Sequence, residues 1–329
     1  RSGRAARPGT ATRGAERASR TPTRVAPAGP GGVRADADRA SGPARIAGPE
    51  RSLASMPGAP DLGGFADVDA TGDARAYGRY LERVGEVPAV AEWKERSLAL
   101  LEPRPGAVLV DVGCGTGDDA LALAARVVPG GRVIGVDASA AMVEAARARA
   151  DAAGLAVEFR VGDVRRLDLP DAAVDGCRAE RVLQHLDHPG AAIAEMARVL
   201  RPGGRLVVAE PDWGTLVVDP GAPDVVRAVA AAACRRMRSG AVGRALPRLL
   251  AEAGLQGVDV AARTLVLRDL KTAEGILDLA GAAAAAVASG ALAERAARGW
   301  ADELRGADAR GRLLVAMTAF MARGRSGKR

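Results

Sequence analysis

Cysteine is scarce in this chain of 329 residues. Three are present, Cys114, Cys177 and Cys234, and no two of them stand in a C-x-x-C spacing. A disulfide framework needs an even and denser set of cysteines, and a structural zinc site needs closely spaced cysteine or histidine pairs. The sequence supports neither arrangement, and we expect no bound metal.

Long apolar runs are missing as well. A helix that crosses a bilayer needs about 18 or more consecutive apolar residues. The longest candidate, residues 277–292, is mostly alanine and contains Asp278, Ser289 and Gly290. The first 55 residues also lack the apolar centre of a secretory signal. We therefore expect no membrane span, and a soluble cytoplasmic protein.

Large apolar residues are almost absent from residues 1–55, which contain only four of them and hold 11 Arg, 8 Gly and 6 Pro. Such a segment cannot bury enough apolar surface to offset the entropy that is lost on ordering. We predict a disordered basic tail over residues 1–60. Met56 stands just before the first patterned sequence, and whether natural translation starts there stays open.

Excess positive charge is confined to the N-terminal stretch. Its 11 arginines face four acidic residues, whereas residues 56–329 contain 36 basic and 36 acidic residues. Specific recognition of nucleic acid needs an ordered basic face, and a polyanion would find only the tail here. The composition therefore argues against nucleic acid as a partner.

From about residue 107, short apolar runs alternate with amphipathic stretches. The sequence predicts strands over 107–111, 132–137, 156–161, 174–179 and 204–210, and helices over 118–128, 139–153 and 189–200. Two more predicted helices, 73–84 and 88–101, come first. This alternation is typical of βαβ units, which form a parallel α/β sheet with a ligand crevice at the carboxyl ends of its strands.

The regular alternation ends after residue 211. Beyond it the sequence predicts helices over 222–238, 243–253 and 272–288, and strands over 257–267 and 312–322. The C-terminal third therefore adds helices between the last strands.

A glycine-rich loop, residues 111–117, joins the first predicted strand to a helix. Its glycines permit a tight turn and a close approach of a ligand to the backbone, beside the unpaired N–H groups of the helix start. A dinucleotide-binding loop would have a further glycine at position 118, where this chain has Asp118, followed by Asp119. Two carboxylates would repel a pyrophosphate, so the loop favours a cationic or zwitterionic ligand over NAD.

Four stretches resemble motifs of the class I S-adenosylmethionine-dependent methyltransferases, specifically the methyltransferase type 11 branch that acts on small molecules. They are VLVDVGCGTG (108–117), VIGVDAS (133–139), VGDVRRLDLPDAAVD (161–175) and RVLQHLDHPGAAIAEMARVLRPGGRLVVAEPDW (181–213). The resemblance covers about residues 75–322. It implies S-adenosyl-L-methionine as the cofactor and says little about the acceptor.

The resemblance also implies an architecture. We expect a Rossmann-like, doubly wound α/β fold whose seven-stranded, mostly parallel sheet ends in an antiparallel C-terminal strand. An N-terminal helical lid is expected over residues 61–105 and the methyltransferase domain over 106–322, with cap insertions at about 214–256 and 270–306. A basic C-terminal tail is expected over 323–329.

The cofactor contacts follow from the same resemblance. Asp137, at the tip of the second strand, can accept both ribose hydroxyls, and Met142 can pack on the adenine face. Asp163 and Val164 match the pair that reads the adenine edge. Considered one at a time, Asp137 could equally be a helix cap, Met142 a core residue and Asp163 a turn residue. The full predicted set is Asp111, Gly113, Cys114, Gly115, Thr116, Gly117, Asp137, Ala138, Met142, Gly162, Asp163, Val164 and Glu180.

The two histidines of the chain, His185 and His188, directly follow the fourth predicted strand. The resemblance implies that His185 is a general base, paired with Glu210 at the end of the fifth strand. An unperturbed histidine pKa of about 6.5 suits proton transfer near neutral pH. In the competing interpretation His185 only packs under the helix, and His188 is expected to cap that helix or lie at the surface.

Aromatic residues are scarce, eight in all, and six of them fall in segments expected to cover the crevice. This placement predicts a flat or apolar small-molecule acceptor, and the expected function is O-, N- or C-methylation of a natural product, lipid or quinone. An RNA or protein methyltransferase, a non-catalytic S-adenosylmethionine-binding protein and a NAD-linked oxidoreductase are the alternatives. The six residues are Phe65, Tyr77, Tyr80, Trp93, Trp213 and Trp300.

Overall fold

The computed structural model describes residues 59–327. The predicted basic tail, apart from its last two residues, lies outside this range, as does Met56. Seven strands are described: β1 (Val108–Val112), β2 (Arg132–Asp137), β3 (Glu158–Val161), β4 (Val174–Glu180), β5 (Leu200–Asp219), β6 (Gln256–Leu267) and β7 (Leu314–Arg325).

Ten α-helices surround the sheet in the described part of the chain. They are α1 (Ala74–Gly85), α2 (Pro88–Leu100), α3 (Asp118–Val127), α4 (Ala140–Ala153), α5 (Pro189–Val199), α6 (Pro223–Arg236), α7 (Leu246–Glu252), α8 (Leu270–Leu277), α9 (Leu279–Ala288) and α10 (Glu294–Ala309). Short 3₁₀ turns occur at Leu62–Ala66, Asp69–Thr71, Leu183–His185 and Val242–Ala245.

The strands form one sheet in the order β3-β2-β1-β4-β5-β7-β6. The first five strands in this order run parallel to one another, and β7 lies antiparallel between β5 and β6. The predicted seven-stranded, mostly parallel α/β sheet with an antiparallel C-terminal strand is therefore confirmed. The strand order reverses between β1 and β4, and in such sheets the ligand crevice lies at that reversal.

The central strands are buried because helices cover the sheet on both faces. Val110, Ile134, Cys177 and Leu206, one from each of four neighbouring strands, are completely inaccessible to solvent. Burial on both faces explains why these strands read as continuous apolar runs in the sequence.

The prediction of one helix over residues 272–288 was wrong, because the structure has two helices there, α8 and α9. Asp278 lies between them with φ 47° and ψ 58°, in the left-handed region, and its carboxylate accepts a hydrogen bond from the N–H of Gly281. An aspartate can break a helix in this way because its short side chain caps the next one. Helix α10 was not predicted individually, and it extends three residues beyond the expected insertion, which ended at about residue 306.

Two segment boundaries also differ from prediction. Strand β5 continues to Asp219, so residues 214–219 belong to the sheet rather than to the cap insertion. Its pairing with β7 shifts register between Asp212 and Val217, which lets one strand bend and continue. At the other end β7 runs to Arg325, so the residues after 322 begin as strand rather than as a tail.

The segment before α1 is attached to the cofactor edge of the sheet. The carboxylate of Asp69 accepts hydrogen bonds from the Ser139 hydroxyl at 2.5 Å and from the N–H of Ala140 at 2.8 Å, at the start of α4. The Ser139 hydroxyl in particular holds the pKa of Asp69 below its usual range. Further along, the hydroxyl of Tyr80 donates to the carbonyl of Ile276 at 3.0 Å. These contacts place the N-terminal helices over the carboxyl ends of the strands.

None of the helices in residues 59–327 is both long and apolar enough to cross a membrane. The same part of the chain contains no group of three or more side chains arranged to hold a metal ion.

One buried arginine ties β1 and β4 to the helices beside them. Arg178 on β4 is 2% exposed. Its guanidinium donates to Asp111 on β1 at 2.9 Å and to the hydroxyl of Ser97 on α2 at 2.8 Å. It also donates to Glu180 and lies 3.0 Å from the carboxylate of Asp119 at the start of α3.

Lys94 of α2 completes this network, with its ammonium 2.5 Å from Asp119 and 4.0 Å from Glu180. Burial raises the pKa of Asp111 to about 6, although Arg178 works in the opposite direction. At Asp119 burial is outweighed by Arg178 and Lys94, which hold its pKa well below the usual range. Three carboxylates therefore stay close together because two cations compensate them.

Replacement of Arg178 by methionine should destabilise the protein by about 3–5 kcal/mol, since it leaves buried carboxylates without their main counter-charge. The loss should be smaller at pH 5 than at pH 7.5, because protonation neutralises the stranded carboxylates at the lower pH. Denaturant unfolding at both pH values measures this loss in the free energy of unfolding. Arg166→Met, at an exposed arginine, is the matched control, and equal losses in the two variants would contradict the role assigned to Arg178.

Candidate active site

A cavity of about 560 Å³ opens at the carboxyl edge of the sheet. At one end it is lined by the tips of β2 and β3, with Asp137 and Val161. At the other end it is lined by Leu265 of β6 and Met317 of β7, and the N-terminal helices contribute to its walls. It therefore extends across the strand-order reversal.

The glycine loop forms part of the cavity wall. Gly113, Gly115 and Gly117 have φ values of 66°, 52° and 87°, in the left-handed region that favours glycine. A Cβ atom at Gly113 would lie only 2.2 Å from a methyl carbon of Val182. The loop is therefore built so that its backbone, without side chains, faces the cavity.

Asp137 joins the tip of β2 to this loop. One carboxylate oxygen accepts from the N–H of Gly115 at 2.8 Å and the other from the N–H of Ser139 at 2.9 Å. Burial raises the pKa of Asp137 above its ordinary value, although these hydrogen bonds work against the shift. A carboxylate has about four lone-pair sites, so two remain for a ligand.

Helix α4 and the segment after β3 add an apolar surface and a second carboxylate. Met142 is 3% exposed and packs against Val68 and Tyr77 of the N-terminal segment. Asp163 accepts hydrogen bonds from the guanidinium of Arg165, which lowers the pKa of that carboxyl. Both residues line the cavity.

The structure brings together most of the residues predicted to bind the cofactor. All but Asp111 and Gly117 line the cavity. Asp111 lies below it, engaged by Arg178, and a Cβ at Gly117 would be 2.9 Å from the ring of Phe159. These two residues shape the loop from behind. The predicted residues that line the cavity are Gly113, Cys114, Gly115, Thr116, Asp137, Ala138, Met142, Gly162, Asp163, Val164 and Glu180.

His185 lies in the 3₁₀ turn after β4 and lines the cavity. Its ring centroid is 5.5 Å from that of Phe65. Burial, together with the positive charges of Arg181 and Arg238, lowers the pKa of His185 to about 3. The imidazole is therefore neutral at ordinary pH, and the expectation of a histidine pKa of about 6.5 is wrong for this environment.

Glu210 is 1% exposed and supports the same turn from below. One of its oxygens accepts from the N–H groups of Val182 and Leu183 at 2.8 and 2.6 Å, and its other oxygen has no hydrogen-bond partner in residues 59–327. Burial raises the pKa of Glu210 to about 8. The direct pairing with His185 that we expected is absent from the described hydrogen bonds, because the carboxyl holds the backbone of the turn instead.

The end of the cavity away from the glycine loop is largely apolar. Four of the six aromatic residues expected there line it: Phe65, Tyr80, Trp93 and Trp213. The other two do not. Tyr77 packs beside Met142, and Trp300 donates to the carbonyl of Pro220 in the helical insertion.

Sequence reasoning missed all six cations that line the cavity, among them Lys94, Arg178 and Arg181. Arg178 is an arginine within a strand whose other residues are predicted to be buried. A charged residue in such a strand is the one signal that could have identified it. Lys94 and Arg181 stand among many charged residues, and nothing in their local pattern distinguishes them.

Comparison with known proteins agrees with this geometry. Residues 110–208 match the family model described as a methyltransferase domain. The chain is 41% identical over 243 residues to an uncharacterized 37.1 kDa protein in transposon Tn4556 of Streptomyces fradiae. The aligned region covers 74% of this chain and 69% of that protein.

Two further relatives carry named activities. A demethylmenaquinone methyltransferase of Symbiobacterium thermophilum is 36% identical over 121 residues, covering 36% of this chain and 48% of that protein. A nocamycin O-methyltransferase of Saccharothrix syringae is 39% identical over 147 residues, covering 40% of this chain and 52% of that protein. The chain therefore spans about half the length of these two relatives.

Among solved structures, the YcgJ protein of Bacillus subtilis superposes with a TM-score of 0.50 at 21% identity, over 71% of this chain and 100% of that one. This likeness shows the fold. Taken with the matched domain and the relatives, the sheet order and the glycine loop lead to one conclusion. The chain belongs to the class I S-adenosylmethionine-dependent methyltransferases, whose cofactor is S-adenosyl-L-methionine.

Proposed function

We propose that this protein methylates a small, flat or apolar acceptor that binds beneath its N-terminal helices. The observation that carries the proposal is the continuity of one cavity, which extends from the glycine loop to a region lined by four aromatic side chains. Clefts that are mostly apolar, with a few convergent polar groups, are typical of small-molecule sites. The activities of the two named relatives also concern small molecules.

The residues around the glycine loop fit the cofactor. The left-handed glycines allow a tight turn in which any Cβ would strike a neighbouring side chain, and Asp137 retains lone pairs for the two ribose hydroxyls. Met142 offers an apolar surface for the adenine ring, next to Asp163 and Val164. Bound S-adenosylmethionine supplies an electrophilic methyl carbon.

Carboxylates in the cavity wall also favour this cofactor over NAD. Asp118, Asp119 and Glu180 all line the cavity near the loop. They attract the ammonium group of an amino acid and repel a pyrophosphate, in line with the opposite charges of the two ligands.

The protein's part in the reaction is mainly orientation. Methyl transfer is an in-line displacement, so the acceptor must be held at one angle and close to the methyl carbon, and such positioning accounts for much of the rate in displacement reactions. Phe65 and Trp213 give flat surfaces against which a planar acceptor can pack, and the N-terminal segment limits access of water.

His185 is proposed to accept the acceptor's proton, where there is one to remove. The neutral imidazole is a weak base, but a hydroxyl or amine becomes strongly acidic as its bond to the methyl carbon forms. A weak base in contact with that atom can then take the proton. Glu210 acts through the backbone of Val182 and Leu183, as a positioning residue for the turn that carries His185.

Asp137→Asn should weaken the binding of S-adenosylhomocysteine about tenfold or more, because it removes a charged acceptor for the ribose hydroxyls. Calorimetric titration measures the dissociation constant, and thermal unfolding shows whether the loop that Asp137 holds remains folded. Asp151→Asn, at an exposed position of α4, should bind like the wild type. An unchanged affinity in the folded Asp137 variant would contradict the assignment.

His185→Gln should lower kcat by about 10²–10⁴, the usual range for a positioned base, while the affinity for S-adenosylhomocysteine is kept. Activity is measured with methyl-labelled cofactor and an acceptor found by screening small aromatic molecules. Because the pKa of His185 is about 3, its titration should not limit wild-type activity between pH 5 and 8. His188→Gln is the control. A kcat for His185→Gln within about threefold of wild type would assign His185 to structure.

Glu210→Gln should change how stability depends on pH. The native carboxyl, with a pKa of about 8, keeps a proton that the unfolded chain releases at about 4.5. The free energy of unfolding should therefore fall as pH rises between these values, by up to about 1.4 kcal/mol per pH unit. The variant keeps an acceptor oxygen for the turn and lacks this titration. Denaturant unfolding from pH 5 to 9 should show the wild type losing stability relative to the variant, so that the two curves separate toward high pH. Parallel curves, as expected for the control Glu303→Gln, would contradict this account.

A further inference from the structure

We propose that Arg181 determines acceptor specificity by binding an anionic group, of the carboxylate class, on the flat acceptor. This inference rests on the proposed function, since it concerns the acceptor end of the same cavity. The inference goes beyond the proposed function by assigning a charge to the acceptor.

The backbone of Arg181 is fixed at the point where the two ends of the cavity meet. Its N–H donates to the carbonyl of Ala209 at 2.9 Å, which links the tips of β4 and β5. Its φ is 57°, in the left-handed region that an L-residue with a long side chain seldom adopts. Such an outlier points to a constraint on where the side chain is directed.

The Arg181 guanidinium keeps most of its hydrogen-bonding capacity uncommitted. Nε lies 3.6 Å from Glu180 Oε1 and has no hydrogen-bond partner within residues 59–327. The side chain lines the cavity and is 22% exposed. It also hydrogen-bonds to the hydroxyl oxygen of Tyr80, which donates its own proton to the carbonyl of Ile276. A guanidinium has five N–H donors, so several remain for a ligand.

Other cations in the cavity wall are better compensated. Each has a carboxylate within hydrogen-bond distance: Lys94 has Asp119, Arg165 has Asp163, Arg238 has Asp187 and Arg263 has Glu92. By contrast, the carboxylates near Arg181 are Glu180 and Asp119, and both are already engaged by Arg178. Arg181 is therefore the lining cation with the weakest compensation among the residues described.

The groups around Arg181 add little negative charge at neutral pH. Of the titratable side chains that face the turn from β4 and β5, the carboxylate of Glu180 is engaged by Arg178, His185 is neutral, and burial raises the pKa of Glu210 to about 8. Nearby Arg238 adds positive charge. The acceptor end therefore attracts an anion, and the sulfonium of the cofactor would add to that attraction.

The shape of the site narrows the class of anion. A guanidinium presents a planar fork that matches the two oxygens of a carboxylate. Phe65, Tyr80 and Trp213 provide apolar surface for the remainder of the molecule. Together they fit a planar aromatic carboxylate better than a strongly hydrated polyanion.

The test compares two nearly isosteric probes, 2-naphthoate and 2-naphthamide. Wild-type protein saturated with S-adenosylhomocysteine is titrated with each, and naphthoate should bind about tenfold or more tightly, as expected for hydrogen bonds to a charged group. Arg181→Met should lose the preference while it keeps its affinity for S-adenosylhomocysteine, and Arg181→Lys should recover part of it. Arg235→Met, at an exposed arginine outside the cavity, controls for net charge and should behave as the wild type.

Three results would overturn the assignment: equal affinity of the wild type for the two probes, no binding of naphthoate to the loaded wild type, or a preference that survives in Arg181→Met. A separate outcome tests the proposed function itself. If the wild type does not bind S-adenosylhomocysteine, the methyltransferase assignment of the cavity fails, whatever the probes do.

Discussion

The ion pairs of Arg178 are the interaction on which the site depends. Asp111 and Arg178 are register partners on neighbouring parallel strands, at the reversal of strand order, and both are almost completely buried. Without the guanidinium, the carboxylates of Asp111, Asp119 and Glu180 would repel one another in a region with little water. With it, two strands and the start of α3 are held at fixed distances, and Ser97 brings α2 into the same network. The glycine loop, which connects β1 to α3, is thereby held at both ends.

The two ends of the cavity follow from this constraint by different means. At the cofactor end, short strands stop in register, and backbone N–H groups and carboxylates at their tips provide the polar contacts. At the acceptor end, β5 is continued past its bulge and paired with β7, which carries apolar side chains over the crevice. The N-terminal helices cover both ends, attached through Asp69 at α4 and Tyr80 at α8. In the proposed function, cofactor recognition therefore uses the sheet itself, whereas acceptor recognition uses segments added around it.

Much of the fold and of the cofactor end could be predicted from the sequence, because both are encoded locally. The alternation of apolar runs and amphipathic helices specifies the parallel sheet, and the glycines of residues 113–117 mark a loop that only glycine can form. The acceptor end was less predictable, because its properties arise from tertiary contacts. Nothing near His185 in the sequence signals two arginines and burial, which together lower its pKa. Likewise Glu210 was predicted to pair with His185, but it bonds to the backbone of Val182 and Leu183 instead, and that bonding depends on how the turn closes.

The most direct test of the central claim, that one cavity holds cofactor and acceptor end to end, is a crystal structure with S-adenosylhomocysteine bound. The ribose hydroxyls should lie within hydrogen-bond distance of Asp137, and the adenine ring should lie against Met142. The sulfur atom should face the end of the cavity that Phe65, His185 and Arg181 line. Binding elsewhere, or with the ribose away from Asp137 and the sulfur turned from the aromatic end, would contradict the claim.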